Sequence, residues 1–266
     1  MGNKLGVCLT GGGARGCYQI GALVALDELG ILQDVQAYSG TSIGAANAAS
    51  VASKGIEAAK NFWFHMPENN LPKNQKATGK NRWDTDRGYY SMEVFETVMK
   101  EAVDYDALRN TEVYVTVSEG GNEGDSLFEL FKNTLSFRFK NTRYAHYLPL
   151  HKLPDEMIHK GIVASCSIPF FFAPVAIEGK KYYDGGVFDN VPVRPLVEAG
   201  CDEIYVIYLH KYRAKVDRDL YPGVTFHEIR HERALELGRI LKFSENQTEK
   251  LYQYGYDDVM QYINQT

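Results

Sequence analysis

The chain lacks any run of about eighteen uninterrupted apolar residues, the length a helix needs to cross a bilayer. Its richest apolar stretch, residues 168–177, is broken by Pro169 and Pro174, so no spanning helix is expected. Cysteine is scarce: four in 266 residues, at positions 8, 17, 166 and 201. None form a CxxC or a metal-ligand pair, which removes the redox-motif and zinc-site classes. Cys8, Cys166 and Cys201 lie in or beside apolar runs, where a free thiol behaves as a small hydrophobe. A reduced, cytoplasmic setting is the expectation. Positive charge is not in excess: 29 Lys and Arg face 34 Asp and Glu, for a net charge of −5. That argues against a dedicated nucleic-acid binder. Too few apolar residues precede the first glycine triplet for a signal-peptide core, and Gly6 stands where a myristoylation signal carries Ser or Thr. There is no internal repeat and no low-complexity tract.

What is present is ordinary globular composition, 44 % hydrophobic and 24 % charged. Folding at this length buries roughly 70–75 % of the unfolded surface, enough for a sizeable core. Lys4–Thr10 reads as a buried strand stopping at glycines. Residues 17–29 carry apolar positions at helical spacing (Ile20, Leu23, Val24), with Gly30 as the stop. Val35–Tyr38 is a second strand, and the alanine-rich Ala45–Lys54 a helix closed by Gly55. Met92–Ala102 and Ile158–Cys166 predict helices; Glu112–Ser118 and Glu203–Leu209 predict strands. Residues 226–243 alternate Glu and Arg at helical spacing, which predicts a solvated helix and extends a helical region over 226–263. Strands alternating with helices give an α/β fold with a mainly parallel sheet.

Three clusters carry chemistry. Gly11-Gly12-Gly13-Ala14-Arg15-Gly16 sits between a strand and a helix. Its glycines fit the dinucleotide fingerprint G-x-G-x-x-G, but that motif wants an acid at the end of the second strand, and Gln36-Ala37-Tyr38-Ser39 stands there. The other reading is an oxyanion site, with bare N–H groups and Arg15 beside a helix N-terminus. Gly40-Thr41-Ser42-Ile43-Gly44 is G-x-S-x-G between strand and helix, the context of a nucleophile elbow. Serine needs a base. His210, ending the strand 203–209, is one candidate. Asp184, followed by Gly185 and Gly186, is the other, although Asp-Gly alone also makes an ordinary turn.

Taken in order, the glycine cluster, the elbow and Asp184-Gly185-Gly186 resemble the patatin-like phospholipase family. Ala164–Pro169, Phe172–Val175 and Val187–Val193 resemble the blocks around its DGG, so the resemblance covers about residues 4–210. It implies a three-layer sandwich with helices on a mainly parallel sheet. It also implies a Ser–Asp dyad in place of a triad: Ser42 as nucleophile, Asp184 as base, the amides of Gly11, Gly12 and Gly13 as oxyanion donors, and Arg15 holding the loop. Gly40, Gly44, Gly185 and Gly186 support the turns. The activity implied is cleavage of lipid carboxylic esters through an acyl-enzyme, with no metal and no organic cofactor. Ser42 and Asp184 must then meet in one site, which makes residues 1–266 a single domain. Two rivals stay open: a nucleotide-binding oxidoreductase using the 11–16 loop, and a non-catalytic lipid-binding protein.

Residues 131–153 contain no acid and interleave Lys132, Arg138, Lys140 and Arg143 with Phe137, Phe139, Tyr144 and Tyr147. They read either as an edge strand guarded by lysines or as a surface for peripheral contact with anionic headgroups. Residues 67–90, basic and poor in aliphatics, read as a loop or lid.

Overall fold

The computed structural model describes residues 3–65, 72–73, 88–120, 144–210, 215–232 and 245–265. Most of the 67–90 loop, and residues 131–143 of the basic stretch, therefore lie outside the described residues. The strands are β1 (Leu5–Leu9), β2 (Val35–Thr41), β3 (Glu112–Glu119), β4 (Ala145–Pro149), β5 (Val175–Ile177), β6 (Lys180–Asp184), β7 (Glu203–Tyr208) and β8 (Thr225–Arg230). The helices are α1 (Cys17–Glu28), α2 (Ile43–Phe64), α3 (Glu93–Ala102), α4 (Tyr105–Leu108), α5 (Asp155–Ser165), α6 (Arg194–Glu198) and α7 (Glu245–Ile263). All eight strands form one sheet. Strands β3, β2, β1, β7 and β8 run parallel in that order, and β4, β5 and β6 add antiparallel pairs.

Period-two patterning sorts the strand residues onto two faces. Val7, Leu9, Val113, Val115, Val117, Tyr205 and Ile207 pack in one core with α1, α2, α3, α5 and α7. Cys8, Ala37, Ile204, Val206 and Tyr208 face the other way, under Val191, Val193, Leu196 of α6 and Val216. The sandwich has three layers, one thick and helical, the other thin. All four cysteines are free and buried.

The helix expected to close at Gly55 does break there (φ 80, ψ −178), but a second helical segment follows directly, and the two run on as α2. Ile56, Ala59, Phe62 and Trp63 continue the apolar spacing, and burial of the last three draws the second half onto the core. The expected charged helix at 226–243 begins instead as strand β8, paired in parallel with β7, and residues 233–243 lie outside the described ones. Glu228 and Arg230 satisfy a period of two as well as they satisfy a helix. Tertiary pairing decides between them: Arg230 stacks on Tyr208 at 3.6 Å, and the Tyr208 hydroxyl donates to Glu228 Oε2 at 2.8 Å. His227, expected on the surface, is instead stacked on Tyr205 at 4.3 Å with its Nε2 2.8 Å from Glu203. Among the described residues, the C-terminal helical region is α7 alone.

Strands β1, β2 and β7 are parallel neighbours, with Leu9 opposite Gly40 on one side and Ile207 on the other. Their C-terminal loops therefore gather at one edge, beside β1, where the strand order switches direction and where α/β sheets form their crevice.

Candidate active site

At the end of β2 the chain turns sharply into α2 through Ser42, whose φ of 56 and ψ of −130 lie where a side chain other than glycine is strained. The strain is held from several sides. The Ser42 N–H donates to Ser165 Oγ at 2.9 Å, the Thr41 hydroxyl donates to the Asp189 carbonyl at 3.0 Å, and the Ala45 N–H donates to the Ser42 carbonyl at 2.8 Å. The flanking glycines are a steric requirement. A Cβ at Gly40 would overlap the Gly44 carbonyl and Ala45 Cα, and one at Gly44 would overlap the carbonyls of Leu9 and Thr10.

The glycine loop lies against this turn: a Cβ at Gly11 would stand 3.0 Å from that of Ser42. Arg15, 1 % exposed, donates from Nε to the Gly12 carbonyl at 2.9 Å, and its Nη2 is 3.3 Å from His210 Nε2. With the Gly12 carbonyl turned to Arg15, the trans peptide directs the Gly13 N–H the opposite way. Among the described residues, the amides of Gly11, Gly12 and Gly13 have no acceptor in the protein. Buried amide side chains brace both ends of the loop. Gln19 Nε2 donates to the Thr10 carbonyl (2.8 Å), Asn47 Nδ2 to the Gly16 carbonyl (3.0 Å) and to Gln19 Oε1 (2.9 Å), and Trp63 Nε1 to Asn47 Oδ1 (2.8 Å).

Strand β3 brings Asp184 to the same place. Strand β4 holds one edge of β3 over residues 114–118. The other edge is held by β2 as far as Thr116, which pairs with Thr41, and then by β6 from Val117, which pairs with Asp184. One step along β3 thus separates the strand end before Ser42 from Asp184. The Ser42 hydroxyl faces the Asp184 carboxylate closely enough to pull its carboxyl down. Both residues are 6 % exposed. Burial pushes the Asp184 carboxyl up from 3.8 to about 6, although the nearby Ser42 hydroxyl and the Gly186 N–H, which donates to it at 2.7 Å, pull it down. Asn190 fills the gap between the two loops: its Nδ2 donates to the Gly11 carbonyl at 3.3 Å, and its Oδ1 occupies the space a Cβ at Gly186 would need. No group of three or more His, Cys, Asp or Glu that could hold a metal exists among the described residues.

The family model of patatin-like phospholipase matches residues 7–197. The chain belongs to this family. The lysophospholipase NTE1 of Chaetomium globosum is 28 % identical over 216 residues, which are 77 % of this chain and 12 % of that protein. The chain therefore spans about an eighth of the length of the NTE1 lysophospholipases it matches. Two solved structures share the fold. VipD from Legionella pneumophila has a TM-score of 0.56 and 14 % identity, over 99 % of this chain and 67 % of that one. Human GIVD cytosolic phospholipase A2 has a TM-score of 0.50 and 11 % identity, over 99 % and 59 %.

In this patatin-like chain Ser42 lies beside both Gly11 of the glycine loop and Asp184. His210 lies beside Arg15, whereas the Ser42 hydroxyl faces Asp184. Phe171 and Phe172 pack against Tyr90, with Phe171 stacked on it at 6.4 Å. Sequence reasoning missed the bracing residues Asn47, Gln19, Asn190 and Ser165. A lone Asn inside an alanine helix was the available signal for Asn47. Ser165 had none beyond its place in the 164–169 block.

Proposed function

We propose that the chain is a serine acyl hydrolase cleaving carboxylic esters of lipids, whether phospholipid, lysophospholipid or acylglycerol. The observation that carries this reading is the Ser42 hydroxyl facing a buried carboxylate beside three glycine amides that have no acceptor among the described residues. Membership of the patatin-like phospholipase family and similarity to proteins named lysophospholipases support the lipid substrate class.

The chemistry runs in two halves. Ser42 Oγ attacks the ester carbonyl carbon as its proton passes to Asp184, and the carbonyl oxygen becomes an oxyanion facing the amides of Gly11–Gly13. Collapse expels the alcohol, which takes the proton back from Asp184, and leaves an acyl-enzyme on Ser42. Asp184 then deprotonates a water, the water adds to the acyl carbon, and the fatty acid departs as Ser42 regains its proton. Arg15 holds the Gly12 carbonyl and thereby aims the loop. No residue of this scheme requires a metal or an organic cofactor.

A fluorophosphonate probe is expected to label the wild type and not Ser42→Ala, and His210→Ala is expected to keep both labelling and turnover. Loss of labelling in His210→Ala, with the fold retained, would favour a triad. Failure of the wild type to label or to release fatty acid across a lipid panel would leave a lipid-binding protein. Nicotinamide or flavin absorbance on the purified protein would revive the oxidoreductase. Among the described residues no helix is long and apolar enough to cross a membrane. Access to lipid is accordingly proposed to occur by peripheral contact, with the basic, aromatic residues 131–153 as the first surface to mutate.

A further inference from the structure

The end of α5 and the two residues after it touch both Ser42 and Asp184. Ser165, wholly buried, accepts the Ser42 N–H on its Oγ at 2.9 Å and donates the same hydroxyl to the Thr116 carbonyl at 2.6 Å. Two residues on, the Ser167 carbonyl accepts the Asp184 N–H at 2.9 Å. The segment between them is fixed internally: the Ser167 hydroxyl donates to the Val163 carbonyl at 2.9 Å, its N–H to the Ala164 carbonyl at 3.0 Å, and the Cys166 N–H to the Val163 carbonyl at 3.1 Å. Residues 165–167 therefore form a short rigid bar with Ser42 bonded at one end and Asp184 at the other. The geometry points to Ser165 as a positioning residue that keeps Ser42 in its strained conformation and sets its spacing from Asp184.

The physical need is specific. A serine at positive φ relaxes toward an ordinary conformation unless its neighbours over-determine it. The Ser42 N–H would be a buried donor without an acceptor if Ser165 were absent. Thr116 ties the same hydroxyl to β3, the strand whose edge carries both Thr41 and Asp184. The catalytic part of this inference rests on the hydrolase reading; the structural part does not.

The test uses the full chain with Ser165→Ala, with Ser165→Cys (which keeps the volume and weakens the acceptor), and with Ser165→Thr (which keeps the hydroxyl). The first two are expected to lower kcat about 10²-fold with KM changed less than about twofold, the mark of a misplaced reacting group. Losing the nearby Ser42 hydroxyl raises the Asp184 carboxyl further, so the acid limb of kcat/KM moves to higher pH. Ser165→Thr restores most of kcat. Independently of any activity, the Ser42 amide proton in NMR moves upfield and exchanges roughly tenfold faster in Ser165→Ala, with distant amides unchanged. An unmoved Ser42 amide, or a kcat loss with the pH limb unmoved and no recovery in Ser165→Thr, overturns the assignment. Wild type that neither labels nor turns over overturns the hydrolase reading instead, while the amide measurement still decides whether Ser165 holds Ser42.

Discussion

Asp184→Asn is expected to lose ester turnover by about 10⁴-fold while making the folded protein more stable at pH 8. The activity half follows from chemistry, because an amide cannot take the proton of Ser42. The stability half follows from burial. Desolvation raises the native carboxyl from 3.8 to about 6, so ionising Asp184 costs more in the native state than in the unfolded chain. Between those two values the native state binds more protons than the unfolded one, and stability falls as pH rises through the interval. Above about 6 the whole penalty is present; below 3.8 it vanishes. At 1.36 kcal/mol for each pKa unit, removing it is worth up to about 3 kcal/mol. Losing the Ser42 hydroxyl's interaction with the carboxylate offsets part of that gain. Urea denaturation at pH 8 and pH 4 checks it: the variant should exceed the wild type at the higher pH and match it at the lower. The same titration predicts that wild-type kcat/KM rises with pH through about 6, as Asp184 becomes able to accept a proton. A variant less stable than wild type at pH 8, or an activity profile flat from pH 5 to 8, contradicts the assignment of Asp184 as a desolvated base.

The parts of the site legible in the sequence are those whose sterics are local. G-x-S-x-G encodes its own turn, because Gly40 and Gly44 must clear backbone within a few residues or in the adjacent strand. The glycine loop and Asp184-Gly185-Gly186 are read for the same reason. The contacts that place these pieces together are long-range: Ser165 to Ser42, Asn190 to Gly11, and the shared edge of β3. No periodicity marks such pairs. Strand β8 was misread because Glu228, Arg230 and Glu232 are spaced two apart and also carry a helical repeat into residue 236, so the pattern fits both periods. What settles it is the neighbour, β7, with Tyr208 beneath Arg230 and Glu228. Gly55 breaks the helix at φ 80 as its position predicts, and a second segment follows because Phe62 and Trp63 beyond it have a core to reach.

Gly255→Ala is expected to cost at least about 3 kcal/mol, a fall of roughly 10 °C in Tm, although only one methyl is added. Helix α7 lies beyond residue 197, where the family match ends, yet it crosses α1 at backbone contact. A Cβ at Gly255 would overlap the Tyr18 carbonyl, and one at Gly21 would overlap the Tyr252 carbonyl, so each helix presents a bare glycine to the other's backbone. The buried positions Thr248, Leu251, Gly255 and Val259 run along one side of α7. The crossing is pinned where Asp258 Oδ2 accepts the Tyr18 hydroxyl at 2.7 Å and lies 2.8 Å from His231 Nδ1. The overlap with the Tyr18 carbonyl cannot be relieved by a side-chain rotamer; α7 must back away and uncover the apolar face of α1. Helix α1 begins one residue after Gly16, so that movement also loosens the loop beside Ser42, and labelling by a fluorophosphonate should slow alongside the fall in Tm. Gln253→Ala, on the exposed side of α7, separates this from a general effect of altering the helix and should shift Tm by less than about 2 °C. Equal melting of the two variants would mean that α7 does not dock at this distance and that the sandwich stands without it. A Tm loss confined to Gly255→Ala with labelling unchanged would keep the docking and cut its link to the loop.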